Sequence, residues 1–262
     1  MRRFYLLVTC SVAIITAALF LRLGVLMLAP HDSYLSVNDV PPYALQTAPP
    51  YTVALDAGHG GYDSGGKGFV HEIEMTENTV NALYALLEND ANFMPVLCRA
   101  QGENASRTAR AEAANAAHAS LMLSIHGNED RSNASSYGFE CFPTPPGRYY
   151  HADALRFAHC LTEKMGEAGH RLRGETGVRY LYYNGKSKKM VEESDSQVRE
   201  SGTFGVIEKA ACPAVLLEQC FLTNQKDYQA WATPEGCIRA ARVYYEAICA
   251  YFGTPPVALT IS

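Results

Sequence analysis

Three polar residues in this sequence each stand just past a run of apolar ones. His59 follows VALDAG, His126 follows LMLSI and Glu218 follows AVLL. In an open α/β sheet, ligands bind beyond the carboxyl ends of the strands. Residues at equivalent strand ends are therefore brought together by the fold, however far apart they lie in the chain. Two imidazoles and a carboxylate make a usual catalytic zinc shell and leave a fourth position for water. A carboxylate directly after a core strand is costly unless it is paired, lies near a metal or faces solvent at a sheet end. Near a metal-bound water, Glu218 would serve as a general base.

A carboxylate to complete such a shell is offered by one segment, which holds Glu72, Glu74 and Glu77. Glu74 opens the stretch EMTENTVNAL, where negative charge also suits a helix N-terminus. His59 lies in DAGHGG, whose glycines allow a sharp turn and leave the imidazole unhindered. A rival reading of this region is phosphate binding, because GYDSGGKG nearly matches a phosphate loop. Against it, Gly68 stands where a Ser or Thr would hold magnesium, and no helix start follows.

The elements that must position these residues alternate. Strand-like runs are YTVALD at 51–56, residues 93–99, 121–125 and 215–217, with a further candidate at 137–142. Helical stretches are 77–89, with Val80, Leu83 and Leu87 on one face, then 106–117, 152–168, 224–231 and 234–251. Pro234 suits a helix start. This order predicts an α/β fold, a mostly parallel twisted sheet with helices on both faces. Residues 171–204, rich in Gly, Tyr and charge, break the rhythm and read as a long mobile surface insertion.

The chain of 262 residues is 48% hydrophobic and 19% charged, a globular composition with room for one sizeable domain. Its net charge of −5 and lack of a basic run argue against a nucleic-acid partner. Arg2 and Arg3 precede an uncharged, mostly apolar run from Phe4 to Leu21, about 27 Å if helical. Residues 1–30 read as a signal anchor or a signal peptide. The absence of Lys and Arg between Arg22 and Lys67 predicts export of the rest. Residues 31–50, with two Pro-Pro pairs, read as a linker, 51–253 as the catalytic domain and 254–262 as a short tail. Cys10 lies in the apolar run. The other seven cysteines show no C-x-x-C spacing, so neither a cysteine zinc site nor a disulfide framework is expected.

VALDAGHGG, then EMTEN, then Arg110 to Asn115 as R-x-x-x-x-N, then LMLSIHGN and PAVLLEQCFLTN follow the motif order of a known family. The chain resembles zinc-dependent N-acetylmuramoyl-L-alanine amidases, cell-wall hydrolases with a single α/β catalytic domain, over residues 51–251. The resemblance implies zinc ligands at His59, Glu74 and His126, with Glu218 catalytic. Glu74 is preferred to Glu72 because Glu74 and Asn78 meet the family's E-x-x-x-N spacing. Asp56, Arg110 and Asn128 match as supporting or structural residues. Departures are Ala57 for the usual Pro, Gly127 for Ala, Gln219 for Leu or Thr, and Cys220 for Gly. The implied reaction cuts the amide between N-acetylmuramic acid and L-alanine in peptidoglycan, outside the membrane. Tyr180, Tyr182 and Tyr183 are candidates to stack on substrate, and equally to be packing residues. Other carboxylates such as Glu129 or Glu140 are the alternatives to Glu218. A non-catalytic peptidoglycan-binding or partner-regulating module is the other reading, and a protein activator is compatible with either.

Overall fold

A computed structural model describes residues 43–258. The apolar segment 1–30, residues 31–42 of the linker and the last four residues of the tail lie outside the described residues. Among the described residues no helix is long and apolar enough to cross a membrane.

Five strands form the central sheet, in the order β2-β1-β3-β7-β4. They are β1 (Tyr51–Ala57), β2 (Phe93–Leu97), β3 (Leu121–Asn128), β4 (Glu140–Pro143) and β7 (Ala214–Phe221). β1 pairs in parallel with β2 and β3, and β3 with β7. β4 is the antiparallel edge strand. The chain leaves β1 for β2 on one side and comes back to β3 on the other. The direction of winding thus reverses between β1 and β3, which is where such sheets open a ligand crevice. The two histidines stand at this reversal, His59 two residues past β1 and His126 within the last turn of pleat of β3.

Successive side chains on a strand point to opposite faces, and the two faces are covered unequally. Val53, Leu55, Leu121, Leu123, Val215 and Leu217 pack into the larger core. That core is closed by α1 (Glu72–Glu88), α3 (His151–Glu167) and α6 (Pro234–Phe252). Ala54, Met122 and Leu216 face a smaller cluster under α2 (Arg107–Ala116) and the single turn α4 (Gly205–Glu208). Asp56, Ser124, His126 and Glu218 share the parity of this second set. They stand on the thinly covered face.

Most element boundaries match the sequence reading to within a few residues. Ser106 caps α2 by accepting from the Ala109 N–H, and Thr233 caps α6 before Pro234. One boundary differs with consequence: α1 begins at Glu72, five residues before the expected start. The segment after β7 is also less regular than the helix expected there. It comprises α5 (Gln225–Asp227) and one π-helical turn, Tyr228–Ala232.

The 171–204 insertion is docked instead of standing free. Its first part lies along β4, with Phe139 N–H donating to Arg171 O and Cys141 N–H to Gly177 O, both at 2.8 Å. It then forms the hairpin β5 (Arg179–Asn184) and β6 (Ser187–Glu192). Tyr180 and Tyr182 are 1% and 2% exposed. These two tyrosines are packing residues, so of the two readings the packing one holds and they do not stack on substrate. At the other end of the domain, Tyr43 and Gln46 of the expected linker already belong to the fold. The Tyr43 hydroxyl donates to Ala119 O at 2.8 Å, and Gln46 Oε1 accepts from Thr52 N–H and the Ser120 hydroxyl. The seven cysteines of the described residues are all free.

α1 carries the segment with the candidate carboxylates, so its packing fixes one wall of the site. Leu83 is fully buried at the centre of that packing. Leu83→Ala should cost about 2–5 kcal/mol, as large-to-small core changes do. Urea unfolding of the variant checks this. A loss near zero would mean α1 is not held as described.

Candidate metal centre and active cavity

The loop after β1 makes an abrupt turn. His59 adopts a left-handed backbone, φ +64°, and Gly60 and Gly61 follow at φ +139° and +60°. A positive φ is uncommon for a residue with a side chain. Arg110 holds it there. From α2 its guanidinium donates to the carbonyls of Ala57, His59 and Ala105 and to Asp56 Oδ1 at 2.7 Å. Asp56 is buried and takes its other bond from the Ser124 hydroxyl at 2.7 Å. Arg99 adds donations to Ala57 O and Gly58 O. Two arginines thus occupy the carbonyls that the turn exposes.

The turn aims His59 at α1. His59 Nε2 lies 3.0 Å from Glu72 Oε1, and His126 Nδ1 lies 2.9 Å from the same oxygen. His59 Nδ1 is 3.0 Å from Asp63 Oδ2, an acceptor that can hold the Nδ1 proton and free Nε2 for a metal. Glu72 Oε1 also accepts from Gly127 N–H at 3.0 Å, and Oε2 from Gly66 N–H at 2.7 Å. The His126 ring lies against Gly58, where any Cβ would meet it at 2.5 Å. His59, Glu72 and His126 are the one group of potential metal ligands among the described residues.

This differs from the sequence reading in one ligand. Glu74 is exposed, as is Asn78, whereas Glu72 is buried. The two glutamates are separated by about 200° around the helix, so only one can face the sheet edge. Glu72 continues the buried stripe of Thr76, Thr79, Val80 and Leu83. Running the Val80, Leu83, Leu87 face backwards in steps of three and four reaches Thr76 and Glu72. That periodicity was the signal for Glu72, and the motif spacing pointed to the outward face.

The donor set fits zinc. Two neutral imidazoles and one carboxylate are zinc's ordinary ligands. Bonds of ~2.0–2.1 Å in a tetrahedron put ligand atoms ~3.3 Å apart, close to the 2.9 and 3.0 Å found between Glu72 Oε1 and the two ring nitrogens. The charges of the cluster also act on one another. Burial alone would raise the Glu72 carboxyl, but the hydrogen bonds from His126 and His59 outweigh it and hold it well below the usual range. Burial alone would lower His59, but Glu72 and Asp63 together raise it.

A cavity of about 530 Å³ opens beside the three residues, and Glu218, Asp56, Arg110, Tyr62 and Phe204 also line it. Glu218 is the partner of His126 in the β3–β7 register. Its Oε2 is buried and makes no hydrogen bond. Burial, with the neighbouring carboxylates of Glu72 and Glu140, raises Glu218 well above the usual carboxyl range. The two alternatives are committed elsewhere. Glu129 accepts from Lys67 N–H and pairs with Arg131. Glu140 is buried opposite Glu218 on β4 and is held by Asn128, Arg173 and Arg179. Asn128 therefore acts on Glu140, a role the sequence reading did not identify. Tyr183 is half-buried and packs edge-on against Phe204, with centroids 6.3 Å apart.

The glycine-rich stretch does not offer its amides to a phosphate. Gly65, Gly66 and Lys67 N–H groups donate to the carboxylates of Asp63, Glu72 and Glu129. The departures from the family pattern also have local causes. A Cβ at Gly127 would stand 2.6 Å from Met75 Cε. Gln219 points away from the cavity, donating to Trp231 O at 2.6 Å and accepting from the Tyr244 hydroxyl.

A family model described as N-acetylmuramoyl-L-alanine amidase matches residues 53–250. The chain is 26% identical over 204 residues to the N-acetylmuramoyl-L-alanine amidase LytC of Bacillus subtilis, covering 77% of this chain and 35% of that one. It is 27% identical over 177 residues to the amidase CwlM of Bacillus licheniformis, covering 67% and 58%. The chain therefore spans about a third and somewhat over half of these two relatives. The catalytic domain of CwlV from Bacillus (Paenibacillus) polymyxa var. colistinus shares the fold. Its TM-score is 0.62 at 24% identity, over 78% of this chain and 99% of that one.

The Arg110 clamp can be tested without substrate. Arg110→Ala leaves Asp56 as a buried, half-satisfied charge and releases the His59 carbonyl. Breaking a buried pair in this way typically costs about 3–5 kcal/mol. We expect that loss in chemical unfolding, with Arg110→Lys recovering only part of it. A loss below about 1 kcal/mol, the scale of an exposed pair, would show that the turn holds itself.

Proposed function

The chain belongs to the N-acetylmuramoyl-L-alanine amidase family, and we propose that it hydrolyses the amide between N-acetylmuramic acid and L-alanine in peptidoglycan, with zinc held by His59, Glu72 and His126. The observation that carries this reading is the convergence of His59 Nε2, Glu72 Oε1 and His126 Nδ1 beside the unpartnered Glu218 carboxyl. The apolar run behind Arg2 and Arg3 supports export to the compartment where that polymer lies.

Each side chain then has a task. Asp63 fixes the His59 tautomer, and the amides of Gly66 and Gly127 orient Glu72. Bound zinc would supply Lewis acidity toward the scissile carbonyl and lower the pKa of a water to about 7 in favourable sites. Glu218 takes the proton of the attacking water on its unbonded Oε2 and passes it to the leaving nitrogen. Its raised proton affinity suits both halves of that transfer. Glu140, already neutralised by Arg173 and Arg179, stays a spectator.

Two measurements bear on this. Glu72→Gln should weaken zinc binding by more than the ~10–100-fold typical of losing a residue that only orients a ligand, and Glu74→Gln should leave it unchanged. Zinc titration of the two variants checks the assignment, and loss in Glu74→Gln alone would reverse it. Glu218→Gln should retain zinc and melting temperature but lose about 10²–10⁴-fold in turnover. Release of stem peptide from purified sacculi provides the readout. Near-normal release with full zinc would remove Glu218 as the base. No release from the unsubstituted protein with zinc bound would favour the non-catalytic reading.

A further inference from the structure

A second cleft, of about 610 Å³, is lined by Phe69, Ser135, Tyr137, Thr223, Gln225 and Lys226. Its walls come from the loop that leads from His59 into α1, from the segment following β3 and from the segment following β7. His126 and Glu218 are carried by those same two strands, so the cleft lies on the same carboxyl edge of the sheet. Neither the metal centre nor the Glu218 cavity uses any of these residues.

Two aromatic rings in this cleft are exposed to a degree that folding does not require. Phe69 is 54% exposed and Tyr137 44%. Both are held in place with one face covered. Phe69 stacks on Tyr228, with centroids 5.3 Å apart and planes 22° from parallel. The Arg171 guanidinium lies 4.4 Å from the Tyr137 centroid and donates to the Tyr137 carbonyl at 2.9 Å. The backbones are pinned as well. Phe69 N–H donates to Leu222 O, and Gly68 lies so close to that carbonyl that a Cβ would stand 2.0 Å from it. Gly138, next to Tyr137, donates its N–H to the buried Asp227 at 2.8 Å. Ser135, Gln225 and Lys226 are exposed, and the Gln225 and Lys226 side chains bond to nothing among the described residues.

Fixed flat apolar faces beside exposed hydroxyl, amide and ammonium groups suit a pyranose ring. The ring's C–H face carries partial positive charge and stacks on the negative face of an aromatic. Its hydroxyls and acetamido group bond to the polar rim. The position is also informative. Gly66 N–H holds Glu72, and Phe69 is three residues further on. At most about 11 Å of chain therefore separates the Gly66 and Phe69 α-carbons, so the ring stands within a few sugar units of the carboxylate that Gly66 holds.

We propose that this cleft is a glycan subsite, in which Phe69 and Tyr137 stack on sugar rings of the strand whose stem peptide enters the metal centre. The proposal rests on the peptidoglycan reading for the identity of its sugar. Its test does not depend on catalysis. The probe is chitotetraose, a peptide-free tetramer of β-1,4-linked N-acetylglucosamine, titrated by calorimetry into the full chain in detergent. Phe69→Leu and Tyr137→Leu keep apolar bulk and remove the flat face. Each should weaken tetramer binding about tenfold, whereas Tyr137→Phe, which keeps the ring, should bind as the unsubstituted chain does. Melting temperatures verify that the leucine variants are folded, and saturation-transfer NMR on the unsubstituted chain reads sugar–aromatic proximity directly. With a long glycan substrate, the leucine variants should raise KM and leave kcat unchanged. Weakened tetramer binding in both leucine variants supports the subsite whether or not amide cleavage is detected. Absence of tetramer binding by the unsubstituted chain overturns the subsite. Equal binding by the leucine variants also overturns it, and either result leaves the amidase reading intact.

Discussion

One buried carboxylate joins the pieces of this site. Glu72 is the first residue of its helix, and its two oxygens accept from Gly66, Gly127, His59 and His126. Those partners belong to the glycine-rich loop, the end of β3 and the turn after β1. Removing such a charge from water is tolerated only with full hydrogen bonding, so the three chain segments must close around it. The left-handed turn at His59 and the bare backbone at Gly127 are both conditions for that closure. The same demand explains why the loop's amides are unavailable to phosphate.

A second consequence concerns which carboxylate is left for chemistry. β4 runs antiparallel to β7, and that register sets Glu140 directly opposite Glu218. Two adjacent carboxylates disfavour each other's ionisation. Arg173 and Arg179, delivered by the insertion, pair with Glu140 and settle its charge. Glu218 receives no such partner and keeps an unbonded oxygen beside the histidines. The insertion thus shapes the cavity's charge from beyond the edge strand, without presenting its buried tyrosines to a ligand.

Much of this was legible in the residues. The apolar runs gave the strands of the parallel sheet, and their polar successors His59, His126 and Glu218 do meet at the winding reversal. Glu74 was expected where Glu72 stands because spacing within EMTEN carries no information about which helix face turns inward. The periodicity of Val80, Leu83 and Leu87 did carry it. Glu140, Arg173 and Arg179 were out of reach for a different reason. They converge through an antiparallel edge strand and an irregular insertion, where neither a 2-residue nor a 3.6-residue period applies. The tyrosines of β5 stayed open between packing and stacking because the segment's charge and glycine content hid a hairpin that docks on β4.

The docking of Tyr43 and Gln46 has a consequence for where the described chain enters the domain. Tyr43 bonds to Ala119 and Gln46 to Thr52 and Ser120, where β1 and β3 begin. His59 and His126 stand where those strands end, about 20 Å away along the sheet. The described chain therefore enters the fold at the end of the sheet opposite the candidate metal centre, and its first residues do not crowd the cleft mouths.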